Sequence, residues 1–232
     1  MLLPVALSNR PHRYSRVSLK APSLKNTVEL IGYYGSDETH ALSAWTSTSR
    51  DLSEDKRARM GTLLMQLAGD GHMTPFEKSS LHFLVTTDIA SHIHLLKHRV
   101  GVSCNAESAR YKELKEDRFY VPTDWPVELQ ERLTGWADKA FELYHQTLRD
   151  LEAAGYSRKR AKESARYLLP YATQLTCDVM FNWRSFAHFL SLRNKPEAQA
   201  EIRQVAAEML HLVEKTGAFP LTIAALRGSG QL

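Results

Sequence analysis

The chain has 232 residues, with 30 Lys and Arg against 26 Asp and Glu for a net charge of +4, and it is 43% hydrophobic and 24% charged. That composition excludes wholesale disorder, and no apolar run approaches the ~20 residues that span a bilayer. The apolar start Met1–Leu7 precedes its basic residues, the wrong order for a secretory leader, so a cytoplasmic protein is expected, and two cysteines, Cys104 and Cys177, make neither a disulfide framework nor a zinc site.

No repeat or Gly/Ser/Pro linker divides the sequence, so one domain over residues 1–232 is expected, with 227–232 as a flexible tail. Residues 1–45 carry little pattern beyond Thr27–Gly32, which reads as a strand. Asp51 with Glu54 forms a capping pattern ahead of a helix bearing Met60, Leu63, Leu64 and Leu67, and Gly69-Asp70-Gly71 stops it. Leu81, Phe83 and Val85 alternate with Ser80, His82, Leu84 and Thr86, the pattern of a largely one-sided strand. Asp88 caps a helix through His94 and Lys97. Pro126 to Gly155 reads as a long amphipathic helix with Leu129, Leu133, Trp136, Ala140, Leu143 and Leu151 as its apolar stripe. Ser157 caps a further helix that ends before Pro170. Tyr171–Phe181 is rich in Thr, Val, Tyr and Phe and suits a strand. Asn182 caps a helix to about Arg193, and Pro196 opens the last long helix. The order predicts an α+β fold of long helices around a small sheet.

The basic excess has two readings. A nucleic-acid surface requires a basic run or stripe, and Arg158-Lys159-Arg160-Ala161-Lys162 supplies one, although on a helix such a run is more often a solvated face. Alternatively, cations converge in a pocket for small anions. The chain has no phosphate-cradling glycine loop, no nucleophile elbow and no zinc helix. His94 and His98 share a helical face at i, i+4, but no carboxylate stands ready as a third ligand and Lys97 repels a cation, so no metal site is expected. The stretch Lys97-His98-Arg99-Val100-Gly101-Val102-Ser103-Cys104-Asn105-Ala106-Glu107-Ser108-Ala109-Arg110-Tyr111 is the conspicuous feature. It reads either as a phosphate-binding helix end and loop or as cations complementing a helix dipole ahead of a surface loop.

That stretch resembles the Arg-His-Arg-x-x-Ser-x-Asn-Glu-x-Ser-x-Arg-Tyr signature of the flavin-dependent thymidylate synthases. Gly71-His72-Met73-Thr74-Pro75-Phe76-Glu77 is similar to the family's upstream block. Ala165-Arg166-Tyr167-Leu168-Leu169-Pro170, Asn182-Trp183-Arg184-Ser185, His188-Phe189-Leu190-Ser191-Leu192-Arg193 and Ala198-Gln199-Ala200-Glu201-Ile202-Arg203 follow in register, so the blocks span residues 71–203. The resemblance implies a homotetramer with active sites at subunit interfaces. It further implies conversion of dUMP to dTMP, with methylenetetrahydrofolate as one-carbon donor and FAD reduced by NADPH. Flavin contacts would fall on Thr74, Lys97, His98, Arg99, Asn182, Arg184 and His188, with His72 near the flavin or folate. Nucleotide contacts would fall on His94, Lys97, Glu107, Ser108, Ala109, Arg110 and Arg166, and Arg193 would sit at the pyrimidine as the catalytic residue. Membrane and nucleic-acid partners are not implied.

The chain departs from the signature in several places. Lys97 replaces the first Arg, keeping charge but losing the bidentate fork; His94 stands for Gln and Lys78 for His. One extra residue lies before Ser103, and Ala106-Glu107 replaces Glu-x. Either Glu107 reaches the acidic position by a loop shift, which the retained spacing of Ser108, Arg110 and Tyr111 favours, or that contact is lost. The altered region keeps open a relative that methylates UMP or stops at 5-hydroxymethylation. Cys104 has no context of a nucleophile. With the blocks in register, the +4 excess reads as counter-charge for two phosphorylated ligands, supplied by Lys97, Arg99, Arg110, Arg166, Arg184 and Arg193 in one pocket.

Overall fold

Alternation along Ser80–Asp88 makes the central strand. The computed structural model describes residues 25–232, so Met1–Leu7 and its basic flank lie outside the described residues. Four strands, β1 (Thr27–Tyr34), β2 (Ser80–Asp88), β3 (Val102–Ala106) and β4 (Gln174–Phe181), form one antiparallel sheet in the order β1-β2-β4-β3. Leu81, Phe83 and Val85 pair with Phe181, Val179 and Cys177 across the β2–β4 ladder, and all six are buried on one face. Strand β1 matches the expected Thr27–Gly32 segment and carries a bulge between Leu30 and Gly32. Strand β3 falls in the segment read as a loop; its five residues alternate half-buried and exposed, too short a run to stand out beside its polar residues.

Eight α-helices are found among the described residues: α1 (Asp37–Trp45), α2 (Glu54–Gly69), α3 (Ile89–Leu96), α4 (Val127–Ala153), α5 (Arg158–Ala165), α6 (Trp183–Arg193), α7 (Ala200–Lys215) and α8 (Pro220–Gly228). Side chains from α1, α2, α3, α6, α7 and α8 join the buried sheet face in the main core. Its centre is aromatic: Phe186 of α6 stacks on Phe83 at 5.6 Å and meets Trp183 edge-on at 5.5 Å, arrangements that add to the burial of each ring. Helices α4 and α5 build a smaller core from Tyr144, Leu148, Ala161 and Ala165 with Leu114. The fold is α+β, as expected.

The caps carry much of the local order. Asp88 accepts from the Ser91 amide to start α3, and Ser157 accepts from the Arg160 amide to start α5. Asn182 and Ser185 form a reciprocal capping box at α6, satisfying backbone donors that would otherwise be orphaned. Helix α2 is capped by Ser53 rather than Asp51, while the Asp51 carboxylate accepts from the Ser53 amide.

Four expectations are corrected. The buried stripe of α4 is Ala137, Phe141, Tyr144 and Leu148, whereas Trp136 and Leu143 of the expected stripe are 55% and 52% exposed. The helix carries two apolar rows, and periodicity alone does not say which one meets a neighbour. Strand β4 begins at Gln174 rather than Tyr171, because Pro170–Thr173 turn, with the Thr173 amide donating to the Pro170 carbonyl. Helix α7 starts at Ala200, four residues after Pro196, and α8 follows it. The C-terminus is docked: Gln231 donates to the Ala68 carbonyl at 2.7 Å, and Leu232 packs against the main core.

The basic run on α5 is engaged inside the chain. Arg158 pairs with Glu152 and Glu113, Arg160 with Glu163, and Lys162 donates to the Tyr111 carbonyl. Among the described residues, no helix is long and apolar enough to cross a membrane. The phase of α4 gives a direct test. Phe141→Ala is expected to cost ~3–5 kcal/mol in urea-induced unfolding, and Trp136→Ala to stay within ~0.5 kcal/mol.

Candidate active site

Two groups of side chains emerge from the motif segments. The first is built where the α3–β3 connection, residues 97–101, crosses the start of α6. Gly101 sits at φ +69° with its α-carbon against α6; a β-carbon there would lie 2.7 Å from Asn182 Nδ2, so this approach requires glycine. The Ser185 hydroxyl donates to the Gly101 carbonyl at 2.8 Å, pinning the connection to the capping box.

The buried His98 is laid against α6 by this crossing. Its ring meets Phe189 edge-on at 5.1 Å and His188 at 5.8 Å. Arg193 Nε donates to His98 Nε2 at 3.3 Å, so that nitrogen offers its lone pair and the imidazole is neutral with its proton on Nδ1. Burial first, and then the positive charge of Arg193, lower the His98 pKa to about 4. A neutral acceptor is therefore held against a guanidinium with no cost of like-charge repulsion.

A cavity of about 630 Å³ opens beside this crossing, lined by Met73, Glu77, Gly101, Asn182, Arg184 and His188, together with the C-terminal Gly230 and Gln231. Its size falls within the ~300–1,000 Å³ of ligand pockets. Arg184 Nη1 pairs with Glu77 Oε1 at 2.6 Å across it, so Glu77, a member of the upstream block to which no role was assigned, restrains the cation that faces the cavity. Asn182 and Arg184 at the amino end of α6, with His188 a turn further along and apolar Met73 beside them, suit a planar cofactor with a phosphate. His72, Thr74, Lys97 and Arg99 are exposed around this region, and His94 Nε2 lies 3.2 Å from Gln199 Oε1.

The second group lies at the other end of β3. The Glu107 carboxylate accepts from the Thr176 amide at 2.9 Å, Arg118 Nη2 at 2.9 Å and Lys112 Nζ at 2.7 Å. Burial raises its pKa, but the bonds from Lys112 and the Thr176 amide and the charge of Arg118 outweigh that and hold it below the usual range. Arg110 donates through Nε and Nη2 to Glu163 Oε1 at 3.0 and 2.8 Å, and Arg166 Nε donates to the Glu163 carbonyl at 3.2 Å. Ser108 Oγ accepts from the Arg110 amide, and Ala109 packs on the smaller core. Arg118 and Glu163 were missed because they lie outside the matched positions.

Among the described residues, no hydrogen bond or ion pair joins the two groups. The six cations expected in one pocket are therefore divided within one chain: Arg184 and Arg193 belong to the first group, Arg110 and Arg166 to the second, and Lys97 and Arg99 are exposed beside the first.

Comparison with known proteins agrees with the sequence motifs. Residues 29–220 match the family described as thymidylate synthase complementing protein. A flavin-dependent thymidylate synthase of Streptomyces avermitilis is 31% identical over 91% of this chain and 95% of its own length. One of Streptomyces coelicolor is 30% identical over 89% and 92%. Among solved structures, the UMP/dUMP methylase PolB from Streptomyces cacaoi bound with 5-Br dUMP superposes with a TM-score of 0.74 at 29% identity, covering 90% of this chain and 98% of that one. The same enzyme bound with 5-Br UMP gives 0.74, 29%, 91% and 97%.

The His98 environment predicts a measurable titration. Its value in the fold lies below the ordinary 6.5, so the stability that the neutral ring contributes is complete above pH ~6.5 and is lost as pH falls through about 4. Imidazole NMR resonances are expected to place the midpoint near 4. Arg193→Leu should raise it only part of the way back toward 6.5, because burial is the larger cause. A midpoint at or above 6 in the unsubstituted protein contradicts the assignment.

Proposed function

The chain belongs to the thymidylate synthase complementing protein family, and on that premise we propose that it methylates C5 of dUMP to give dTMP. Methylenetetrahydrofolate donates the one-carbon unit, FAD is the redox cofactor and NADPH the reductant. The observation that carries this reading is the convergence of three separate motif segments, 71–77, 97–101 and 182–193, on one cavity of about 630 Å³.

A bound flavin would supply the hydride chemistry needed to reduce the transferred one-carbon unit. This chain's residues supply position and field. Asn182, Arg184 and His188 hold the cofactor, with Thr74, Lys97, His98 and Arg99 completing its surroundings and His72 near the flavin or folate. When a phosphate enters, Arg184 exchanges Glu77 for it, one charge-assisted partner for another. His98, kept neutral, orients Arg193 through Nε and leaves its Nη groups to face the pyrimidine. A guanidinium there stabilises the anion formed when N3 loses its proton and so raises the nucleophilicity of C5. Preorganised donors of this kind contribute ~10²–10³ in rate each. C5 gives up its proton as the new carbon–carbon bond matures.

The nucleotide phosphate belongs to the second group, with Ser108, Ala109, Arg110 and Arg166, and with His94 and Lys97 reaching it from another subunit. The separation of the two groups within one chain supports a composite site between copies, and the resemblance to the family makes the homotetramer the assembly proposed for it. Such an enzyme is expected to work in the cytoplasm. A second reading, methylation of UMP, is favoured by the similarity to a methylase named for both nucleotides. The engagement of Arg158, Arg160 and Lys162 inside the chain weighs against a nucleic-acid-binding role.

Purified protein is expected to be yellow and to produce dTMP from dUMP, methylenetetrahydrofolate and NADPH. Competition of dUMP against UMP, read by product mass, separates the two readings and reveals any 5-hydroxymethyl product. A colourless protein that FAD does not reconstitute overturns both. Arg193→Ala is expected to lower turnover by at least ~10²-fold while flavin stays bound.

A further inference from the structure

A buried chain of polar side chains, outside every motif quoted above, ties α1 to the start of α8 and to the residue two positions after the Thr74–Glu77 turn. Asp37, at the start of α1, reaches the amino end of α8: its Oδ1 accepts from the Thr222 amide at 2.8 Å and the Thr222 hydroxyl at 2.7 Å, and its Oδ2 from the Leu221 amide at 2.8 Å. Helix α8 has no side-chain cap of its own, so the carboxylate of another helix satisfies its first amides and complements its dipole. His40 Nδ1 lies 2.9 Å from Thr222 Oγ1, and His40 Nε2 lies 2.9 Å from Ser79 Oγ. All four side chains are buried.

Their proton arrangement follows from the carboxylate at one end and from the burial that keeps His40 neutral. A carboxylate only accepts, so the Thr222 hydroxyl proton goes to Asp37. Thr222 Oγ1 must then accept from His40 Nδ1–H, and with the buried ring neutral Nε2 accepts from the Ser79 hydroxyl at 2.9 Å, which also lies 3.3 Å from the Phe76 carbonyl. The network is fully satisfied with His40 neutral. Burial lowers the His40 pKa to about 4. So weak a base, enclosed between two hydroxyls, suits a positioning role better than proton abstraction.

The two ends of this chain hold segments that continue into the cavity wall, although none of its four side chains lines the cavity itself. Ser79 follows the Thr74–Glu77 3-10 turn, whose Met73 and Glu77 flank the cavity, and His40 also packs edge-on against Phe76 of that turn at 5.4 Å. At the other end, α8 runs into Gly230 and Gln231, which line the same cavity. Gly35, at φ +99°, closes over Ser79, where a β-carbon would come within 2.9 Å of the Ser79 β-carbon. We propose that Asp37, Thr222, His40 and Ser79 form a positioning network that fixes the 74–77 turn and the C-terminal segment in register, and so sets flavin affinity. The inference rests on the reading of this cavity as the flavin site.

Flavin titration of the purified full chain, followed by fluorescence quenching at 20 °C beside thermal unfolding, tests it. Thr222→Val keeps shape but removes the hydroxyl at the centre, and Ser79→Ala removes the far donor. Each is expected to weaken FAD binding about fivefold, the worth of about one buried hydrogen bond, and Thr222→Ser to restore it. The double variant should lose less than the product of the two, because both act through His40. If the unsubstituted chain binds no flavin, the reading of the cavity fails. If it binds flavin and the folded variants lose melting temperature but bind with unchanged affinity, the network is structural only and the proposal is overturned. Should Thr222→Val fail to fold, Ser79→Ala, which leaves the Asp37–Thr222 bonds intact, decides the matter alone.

Discussion

The β2–β4 ladder is the constraint on which the arrangement depends. Eight residue pairs from Leu81↔Phe181 to Asp88↔Gln174 lock two strands whose inner faces are largely apolar, so a slip of one residue would turn either Phe83 and Val85 or Val179 and Phe181 toward solvent. Because the strands are antiparallel, the helices that leave them start at opposite ends. Asp88 begins α3 at one end and Asn182 begins α6 at the other. The chain returning from α3 must therefore pass the start of α6 before entering β3, and that passage places His98 against Phe189 and Arg193.

What the sequence showed and what it hid divide along physical lines. Alternation in Leu81, Phe83 and Val85 was plain because one face is buried and the other is open. The caps Asp88, Ser157 and Asn182 were plain because capping is local chemistry. The motif segments pointed to the cavity because a site built from charged and hydroxyl side chains is unusual in composition as well as in place. Other features depended on partners remote in the chain. The phase of α4 was set by which apolar row met α5 and the Phe119–Val121 segment, β3 by pairing with β4, and the capping of α8 by a carboxylate 184 residues away. The Asp37–Thr222–His40–Ser79 chain was invisible for the same reason, since each member is unremarkable among its sequence neighbours.

Charge follows a related rule. The motif cations are not pooled; most are already paired or capped, Arg184 by Glu77, Arg110 by Glu163 and Arg193 by a neutral imidazole. A site of this kind keeps its guanidinium groups ordered by carboxylates that an incoming phosphate can replace, so little side-chain freedom remains to be lost on binding. The overall +4 is thus a weak guide, since the sum counts pairs that already cancel.

The docked C-terminus has a practical consequence. Gln231 is anchored to Ala68, and Gly230 and Gln231 form part of the cavity wall, so the last residues of this chain are architecture rather than trailing sequence. A substitution at Gln231 or Leu232 would therefore act on the cavity wall, at a distance in sequence from every motif that lines it.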